Sequence, residues 1–131
     1  NFALLPENPD NSARKLRVEI RKLTGKNVAV VVSDTYSRPF RRGQVNFAIG
    51  VAGISPFKDY RGKRDLFNYE LKVNNTAVAD EITSAAELVM GQGNEGIPVA
   101  IVKNLQVQTQ EEASAKDLLI SRNEDLFKGA L

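Results

Sequence analysis

Hydrophobic positions in this 131-residue chain recur with both helical and strand periods, which predicts elements of both kinds. Spacings of three and four predict a first helix after residue 8, with an apolar face formed by Ala13, Leu16, Ile20 and Leu23. Asn8 is the expected N-cap, Pro9 takes the first helical position, and Gly25 ends the helix. The other faces are basic, which favours a solvated surface, with anion steering as the alternative.

Strand-like runs follow the first helix. Residues 27–33, NVAVVVS, form a continuous β-branched run that predicts an interior strand buried on both faces. Residues 34–43 are predicted to form a loop, and residues 44–53 a second strand. Residues 67–73 alternate as a half-buried strand does, and residues 97–103, IPVAIVK, predict a third buried strand. Residues 2–5 also have strand character.

A second helix is predicted over residues 77–90, where small and apolar positions share one face: Ala79, Ile82, Ala86 and Val89. Glycines at 91–96 end it. Residues 111–120 and 124–127 are predicted to form short acidic helices. The mixed order predicts an α+β fold, a mixed β-sheet with packed helices, built as one domain over residues 1–131.

Composition restricts the chemistry that is open to this chain. At 42% hydrophobic and 26% charged it is ordinary for a globular protein. It has no cysteine and no histidine, which excludes disulfides, thiolate nucleophiles and imidazole bases. Carboxylates, hydroxyls, amides, lysines and arginines remain, and these suit a hard cation with oxygen ligands.

The net charge of +2 conceals an asymmetry. Residues 1–66 hold 13 basic and 6 acidic side chains, whereas residues 67–131 hold 5 and 10. The positive half predicts an anionic ligand, while the acidic half argues against a general nucleic-acid binder and would suit head-to-tail pairing of subunits. No apolar run reaches the roughly 18 residues of a membrane span and no signal peptide is recognisable, so a cytoplasmic protein is expected.

Asp34 and Thr35 follow the C-terminal end of the first predicted strand and are candidate ligands for a hard metal ion. Their spacing is equally compatible with a structural ion pair or a cap. A dense cationic cluster follows, formed by Arg38, Arg41 and Arg42. Guanidinium groups bind phosphate or carboxylate in a bidentate way, but an exposed arginine run is also compatible with a merely solvated loop. A weaker candidate is Arg61, which lies in a segment of mixed charge.

Residues 91–96, GQGNEG, match the pattern GxGxxG. The dinucleotide-binding motif follows a strand and opens a helix, whereas here the predicted order is helix, glycines, strand, so a Rossmann site is rejected. The turn remains compatible with an anion-binding nest to which Gln92 and Glu95 add metal-ligating oxygens, or with a simple capping turn.

Several segments together resemble one family. LLPENPDNSA, VVVSDTYSRPFRRGQ, AIGVAG, DYRGKRDLF, AVADEITSAAELVMGQ and EGIPVAIV, in this order, are similar to the coenzyme F420-0:L-glutamate ligases, or gamma-glutamyl ligases. The resemblance extends from Leu4 to Leu105. It implies a GTP-dependent ligase that attaches L-glutamate to F420-0 through an acyl phosphate and extends a gamma-linked tail. It also implies an α+β fold and an intertwined homodimer, with no nucleic-acid or membrane partner.

The resemblance further implies a divalent cation, Mn²⁺ or Mg²⁺, with K⁺ as an additional candidate. It assigns Asp34, Thr35 and Gln92 as metal ligands. The implied guanine-nucleotide segment is Met90, Gly91, Gln92, Gly93, Asn94, Glu95, Gly96 and Ile97. From charge alone, Arg38, Arg41, Arg42 and Arg61 are candidates for holding phosphates or substrate carboxylates.

Members of that family are about twice as long, and their N-terminal half contributes further nucleotide contacts and an aspartate ligand. The chain begins at Asn1 rather than methionine. It is therefore expected to be the C-terminal portion of such a ligase, with little activity by itself. The alternative is a non-catalytic module that binds a phosphorylated ligand through the arginine loop.

Overall fold

The computed structural model describes residues 4–126, which adopt an α+β fold, as predicted. The elements in chain order are helix α1 (Pro9–Thr24), strands β1 (Val30–Ser37), β2 (Gln44–Ala52), β3 (Lys58–Asp59) and β4 (Asn75–Thr76), helix α2 (Val78–Met90) and a short 3₁₀ helix (Ala115–Leu118). The strands form two antiparallel two-stranded sheets, β1–β2 and β3–β4. The predicted mixed sheet is therefore not found in the described residues, because no strand pair in them is parallel.

Helix α1 begins and ends as predicted. The side chain of Asn8 accepts a hydrogen bond from the Asn11 N–H at 2.9 Å, and Gly25 takes the left-handed conformation that ends the helix. The predicted apolar face is correct for Ala13, which is buried, but wrong for Leu16 and Leu23, which are 51% and 84% exposed. The stripe that faces the sheet also includes Asp10 and Arg17, because polar side chains are needed there to bond main-chain groups.

Strands β1 and β2 form a hairpin whose turn contains the arginine loop. Asp34 pairs with Phe47 and Thr35 with Asn46, so the strand continues through residues that were predicted to be a loop. The pairing shifts by one residue between Val32 and Ser33. β1 was also expected to be an interior strand, but in the described sheet it pairs on one side only and is half-buried. An apolar run specifies a strand, whereas its burial depends on what covers it.

The outer edge of β2 is closed by side chains from both helices. The Asn46 N–H donates to Glu87 at 2.8 Å and the Ala48 N–H to Asp80 at 2.9 Å. The Val51 N–H donates to Asp10 at 2.9 Å. The Asn46 carbonyl accepts from two α2 hydroxyls, those of Thr83 at 3.0 Å and Ser84 at 2.9 Å. A strand edge that would otherwise pair with another strand thus anchors the helices instead.

Close contact between α1 and β2 depends on Gly50. A Cβ atom at this position would overlap the carbonyl group of Pro9. The absence of a side chain therefore lets the start of α1 lie directly on the strand. This approach brings the Asp10 carboxylate to the β2 edge.

The segment after residue 110 is held by α1. Arg17 makes a bidentate ion pair with Glu111, at 2.6 and 2.8 Å, and its Nε donates to the Val28 carbonyl at 2.8 Å. Asp10 accepts from the Ser114 hydroxyl at 2.6 Å and from the Ala115 N–H at 3.0 Å. Small side chains then fill the core beneath this segment, which comprises Ala48, Val51, Ile54, Ala79, Ala113 and Ala115.

Helix α2 lies where it was predicted, but the other proposed elements in the second half were wrong. Residues 67–73 form an exposed turn with one isolated bridge, Arg64 to Glu70, and residues 97–103 form no strand and are largely exposed. The predicted helix 111–120 is reduced to the 3₁₀ helix, and residues 122–124 form a turn. Leu4 and Leu5 are not in a strand; the expectations for residues 2, 3 and 127 lie outside the described residues.

Large apolar side chains are exposed over much of this surface. Leu66 is 99% exposed, Phe67 90%, Val73 90% and Leu88 88%. The first three lie in the segment between β2 and α2, and Leu88 lies on α2. Large apolar side chains that are this exposed favour burial by another polypeptide segment. None of the helices described is long and apolar enough to cross a membrane.

We predict that Asp10→Asn destabilises the fold. The residue is 6% exposed and its carboxylate accepts three hydrogen bonds. An amide oxygen can keep the two N–H donors, but the negative charge is lost and the NH₂ group takes the place of the oxygen that accepts from Ser114. The expected loss in the free energy of unfolding is about 3 kcal/mol, measured by urea denaturation. Asp117→Asn, which removes an exposed carboxylate, is the matched control. An equal effect of both changes would contradict the role of Asp10.

The same carboxylate predicts how stability depends on pH. Burial alone would raise the pKa of Asp10, but hydrogen bonds from Ala115, Ser114 and Val51 and the charge of Arg14 together lower it below 3.8. A pKa depressed by folding contributes stability above the unfolded pKa, and this contribution is lost as pH falls through the folded pKa. We therefore expect the free energy of unfolding of the unmodified protein to fall as pH is lowered below about 4. The fall should be smaller in Asp10→Asn, which has no carboxylate at this position to protonate.

Candidate functional site

Two of the predicted ligands meet, although they are far apart in the sequence. The Thr35 hydroxyl lies 3.1 Å from Gln92 Oε1 and 2.9 Å from Gln92 Nε2. Thr35 is in the second half of β1, and Gln92 follows the glycine that ends α2. The packing of α2 along β2 brings the two side chains together.

Asn46 and Glu87 complete a cluster of four polar side chains. Asn46 is 6% exposed, and its Oδ1 accepts from the Thr35 hydroxyl at 2.9 Å and from Gln92 Nε2 at 3.0 Å. Glu87 Oε1 accepts a short hydrogen bond from Gln92 Nε2, while its Oε2 accepts from the Asn46 N–H at 2.8 Å. We call Thr35, Asn46, Glu87 and Gln92 the polar cluster. It presents hydroxyl, amide and carboxylate oxygens at one place.

Asp34 lies on the other side of the strand from the polar cluster. Side chains alternate along a strand, so Asp34 shares its face with Tyr36 and Phe47, whose rings pack edge to face at 6.1 Å between centroids. No hydrogen bond or ion pair joins Asp34 to Thr35, Gln92 or an arginine in the described residues. The structure therefore brings together Thr35 and Gln92, but not the Asp34 carboxylate with them.

The main chain of Thr35 points to the free edge of the hairpin. Asn46, its partner across the ladder, directs its N–H and C=O groups to α2. The two residues therefore form a non-hydrogen-bonded pair, and the Thr35 carbonyl faces away from β2.

The arginine loop lies at the end of the hairpin, in the turn between β1 and β2. Arg38 is half-buried and donates from Nη2 to the Arg42 carbonyl at 3.2 Å, whereas its buried Nε has no hydrogen-bond partner among the described residues. Arg41 and Arg42 are exposed. A shallow depression of about 620 Å³ separates Arg38 from the start of α2. The loop can therefore present guanidinium groups to an anion.

Arg61 lies elsewhere and already has a partner. It makes a bidentate pair with Asp59, with the closest N–O distance 2.6 Å. The side-chain hydrogen bond from Arg61, followed by the bond from its N–H group, lowers the pKa of Asp59 to about 2. The structure does not group Arg61 with the other arginines, and an anion would have to compete with Asp59 for it.

The predicted nucleotide segment is a turn that Glu95 stabilises from within. The Gly91 N–H donates to the Glu87 carbonyl at 2.8 Å, and the Gly93 N–H donates to Glu95 Oε2 at 2.8 Å. Gly91 has a positive φ of 72°, and a Cβ there would overlap the Glu95 carboxylate. Residues 92–97 are exposed, with Gln92 turned towards the hairpin.

Sequence reasoning missed Asn46 and Glu87. The signal for Asn46 was present, because a hairpin folded around the arginine loop pairs residue 35 with residue 46. Glu87 had a weaker signal, its place on α2 five residues before Gln92. Its role depends on which helical face meets β2, and that is decided by packing.

The residue types at this site suit a hard cation. Thr35 and Gln92 offer hydroxyl and amide oxygens, which Mg²⁺ and Mn²⁺ accept. Among residues 4–126 there is no group of three or more acidic, histidine or cysteine side chains that could hold a metal ion unaided. The set fits a cation whose remaining coordination comes from elsewhere, such as phosphate oxygens or water.

Comparison with known proteins agrees with the sequence resemblance. Residues 1–104 match the family model described as F420-0:Gamma-glutamyl ligase. The chain is 49% identical over 125 residues to the coenzyme F420:L-glutamate ligase of Methanocaldococcus jannaschii, covering 95% of this chain and 50% of that protein. It is 46% identical over 131 residues to the enzyme of the same name from Archaeoglobus fulgidus, covering 100% and 52%. The chain thus spans about half the length of the curated relatives it matches.

Proposed function

Because this chain belongs to the F420-0:gamma-glutamyl ligase family, we propose that it forms part of a GTP-dependent ligase that adds L-glutamate to coenzyme F420-0. Relatives with 44 to 49% identity carry the name coenzyme F420:L-glutamate ligase. The observation that supports the proposal most directly is the contact between Thr35 and Gln92. The fold brings together a hydroxyl and a carboxamide that are 57 positions apart in the sequence. Both groups carry oxygens that can bind a nucleotide-bound cation.

The proposed reaction has two steps. The F420-0 carboxylate attacks the γ-phosphorus of GTP, the bond to the β-phosphate oxygen breaks, and GDP leaves an acyl phosphate behind. The amine of glutamate then attacks the acyl carbon, loses a proton and expels inorganic phosphate, which leaves an amide. Repetition at the terminal glutamate would extend a gamma-linked tail. Neither step needs histidine or cysteine, since phosphoryl transfer depends on positioning and charge neutralisation.

We assign Asp34, Thr35 and Gln92 to the binding of a divalent cation, Mn²⁺ or Mg²⁺, with the Asp34 side chain on the opposite side of β1 from the other two. Such a cation, with K⁺ as a further candidate, would neutralise phosphate charge. Residues 90–97 would contact the nucleotide through the exposed turn that Glu95 holds. Arg38, Arg41 and Arg42 would hold phosphates or substrate carboxylates, with Arg61 a weaker candidate because Asp59 occupies it.

The exposed apolar surface supports a partner for this half-length chain. Leu66, Phe67 and Val73 lie in the segment between β2 and α2, and each is at least 90% exposed. An isolated domain seldom leaves several large apolar side chains of one segment in contact with water. We propose that a second copy covers part of it in a homodimer, and the remaining length found in relatives another part. A monomeric mass in analytical ultracentrifugation of the native polypeptide would contradict the homodimer.

A second candidate function is a binding module for a phosphorylated ligand. Arg41 and Arg42 are exposed and solvent-facing, which favours this alternative. It would depend on the arginines and tolerate changes at Asp34 and Gln92. The ligase would be sensitive at all of these positions.

We predict that Asp34→Asn weakens cation-dependent GTP binding by the native polypeptide. Removing the carboxylate charge while keeping its shape should weaken GTP binding in the presence of Mn²⁺ by at least tenfold, measured by calorimetry. Asp117→Asn is the matched control, because it removes one exposed charge outside the site. GTP affinity that does not require a cation and is unchanged by Asp34→Asn would exclude the assigned role. Retained binding in Asp34→Asn together with loss in Arg41→Ala would favour the binding module.

A further inference from the structure

We propose that Glu87 is a positioning residue that fixes the orientation of the Gln92 carboxamide, so that Gln92 Oε1 rather than Nε2 is directed to the bound cation. This inference rests on the proposed function, because it concerns the cation that Gln92 would bind. The sequence alone did not predict a contact between Glu87 and Gln92. The inference is based on the positions of the four side chains of the polar cluster.

Both oxygens of Glu87 are used by protein groups. Oε2 accepts from the Asn46 N–H at 2.8 Å, which joins α2 to the edge of β2. Oε1 accepts from Gln92 Nε2 in the short hydrogen bond. A carboxylate occupied at both oxygens is arranged to hold its neighbours, and is less suited to serve as a cation ligand itself.

The contact with Glu87 decides which end of the carboxamide points inward. An ionised carboxylate only accepts hydrogen bonds, so the group of Gln92 that faces it must be the NH₂. Asn46 Oδ1, 3.0 Å from the same Nε2, is a second acceptor and selects the same orientation. The Thr35 hydroxyl lies near both ends of the carboxamide, 2.9 Å from Nε2 and 3.1 Å from Oε1, so the two acceptors on Nε2 decide the orientation and leave the amide oxygen for a ligand.

An amide that can rotate would present nitrogen to a cation for part of the time. The NH₂ group has no lone pair to offer a hard cation, so each such orientation is unproductive. Partners that orient a ligand from behind typically change metal affinity by about 10- to 100-fold when they are altered. Glu87 is therefore expected to affect cation binding without touching the cation.

The test is a double-mutant cycle between positions 87 and 92 in the native polypeptide. Glu87→Gln removes the charge but keeps an oxygen for the Asn46 N–H, so the new NH₂ group faces Gln92. An NH₂ group only donates, so it favours the inverted carboxamide, with Gln92 Oε1 turned towards position 87. We expect Mn²⁺ binding in the presence of GDP, followed by electron paramagnetic resonance, to weaken at least tenfold. In the Gln92→Glu background the same change should not weaken binding, because the amide introduced at position 87 can then donate to the carboxylate introduced at position 92.

The controls separate this inference from the proposed function. Glu112→Gln removes an exposed carboxylate and should leave Mn²⁺ binding within twofold of the unmodified protein. An equal loss from Glu87→Gln in both backgrounds would overturn the positioning role, because Glu87 would then act independently of Gln92. Unchanged binding in Glu87→Gln, with loss in Gln92→Ala, would overturn it too and leave the ligase proposal intact.

A measurement on the unmodified protein avoids dependence on variant folding. In the ¹⁵N spectrum, the side-chain NH₂ protons of Gln92 should be well separated in shift and slow to exchange, unlike those of exposed Gln106. Rapid exchange of the Gln92 NH₂ protons would overturn the proposal even if the variants failed to fold. If no Mn²⁺ binds with GDP while these protons are protected, the ligase function fails and the Glu87–Gln92 contact stands.

Discussion

The open edge of β2 is the constraint on which the remaining structure depends. Its main-chain groups at Asn46, Ala48 and Val51 point away from β1 and must find partners. Helices supply them, Asp10 from α1 and several polar side chains from α2: Asp80, Thr83, Ser84 and Glu87. Hydrogen bonds to charged groups are worth about 1.5–3 kcal/mol each, so this edge sets where both helices lie.

These polar contacts matter because the apolar core is small. Four of the six residues in its central cluster are alanines, and many large apolar side chains remain exposed. Little hydrophobic area is therefore available to define the packing of one element on another. Directional bonds from Asp10 and Arg17 fix the segment after residue 110 against α1 instead.

The polar cluster is a consequence of the same edge. Glu87 reaches the Asn46 N–H with one oxygen, and the second oxygen then lies next to Gln92, one residue beyond the glycine that ends α2. Thr35 enters because the hairpin register places it opposite Asn46. The Glu87 carboxylate thus joins α2 to the edge of β2 and also belongs to the polar cluster.

The sequence by itself determined α1 with its Asn8 and Gly25 caps, the extent of α2 and the β2 strand, because caps and periodicity are local signals. It failed for residues 67–73 and 97–103, which form no regular strand in the described fold despite their strand-like patterns. On the buried face of α1 it identified Ala13 but not Asp10 and Arg17, whose polar side chains bond main-chain groups. Only the tertiary structure decided that Asp34 and Thr35 face opposite ways and that Asn46 and Glu87 join Gln92, because strand register and helix docking depend on contacts between residues far apart in sequence.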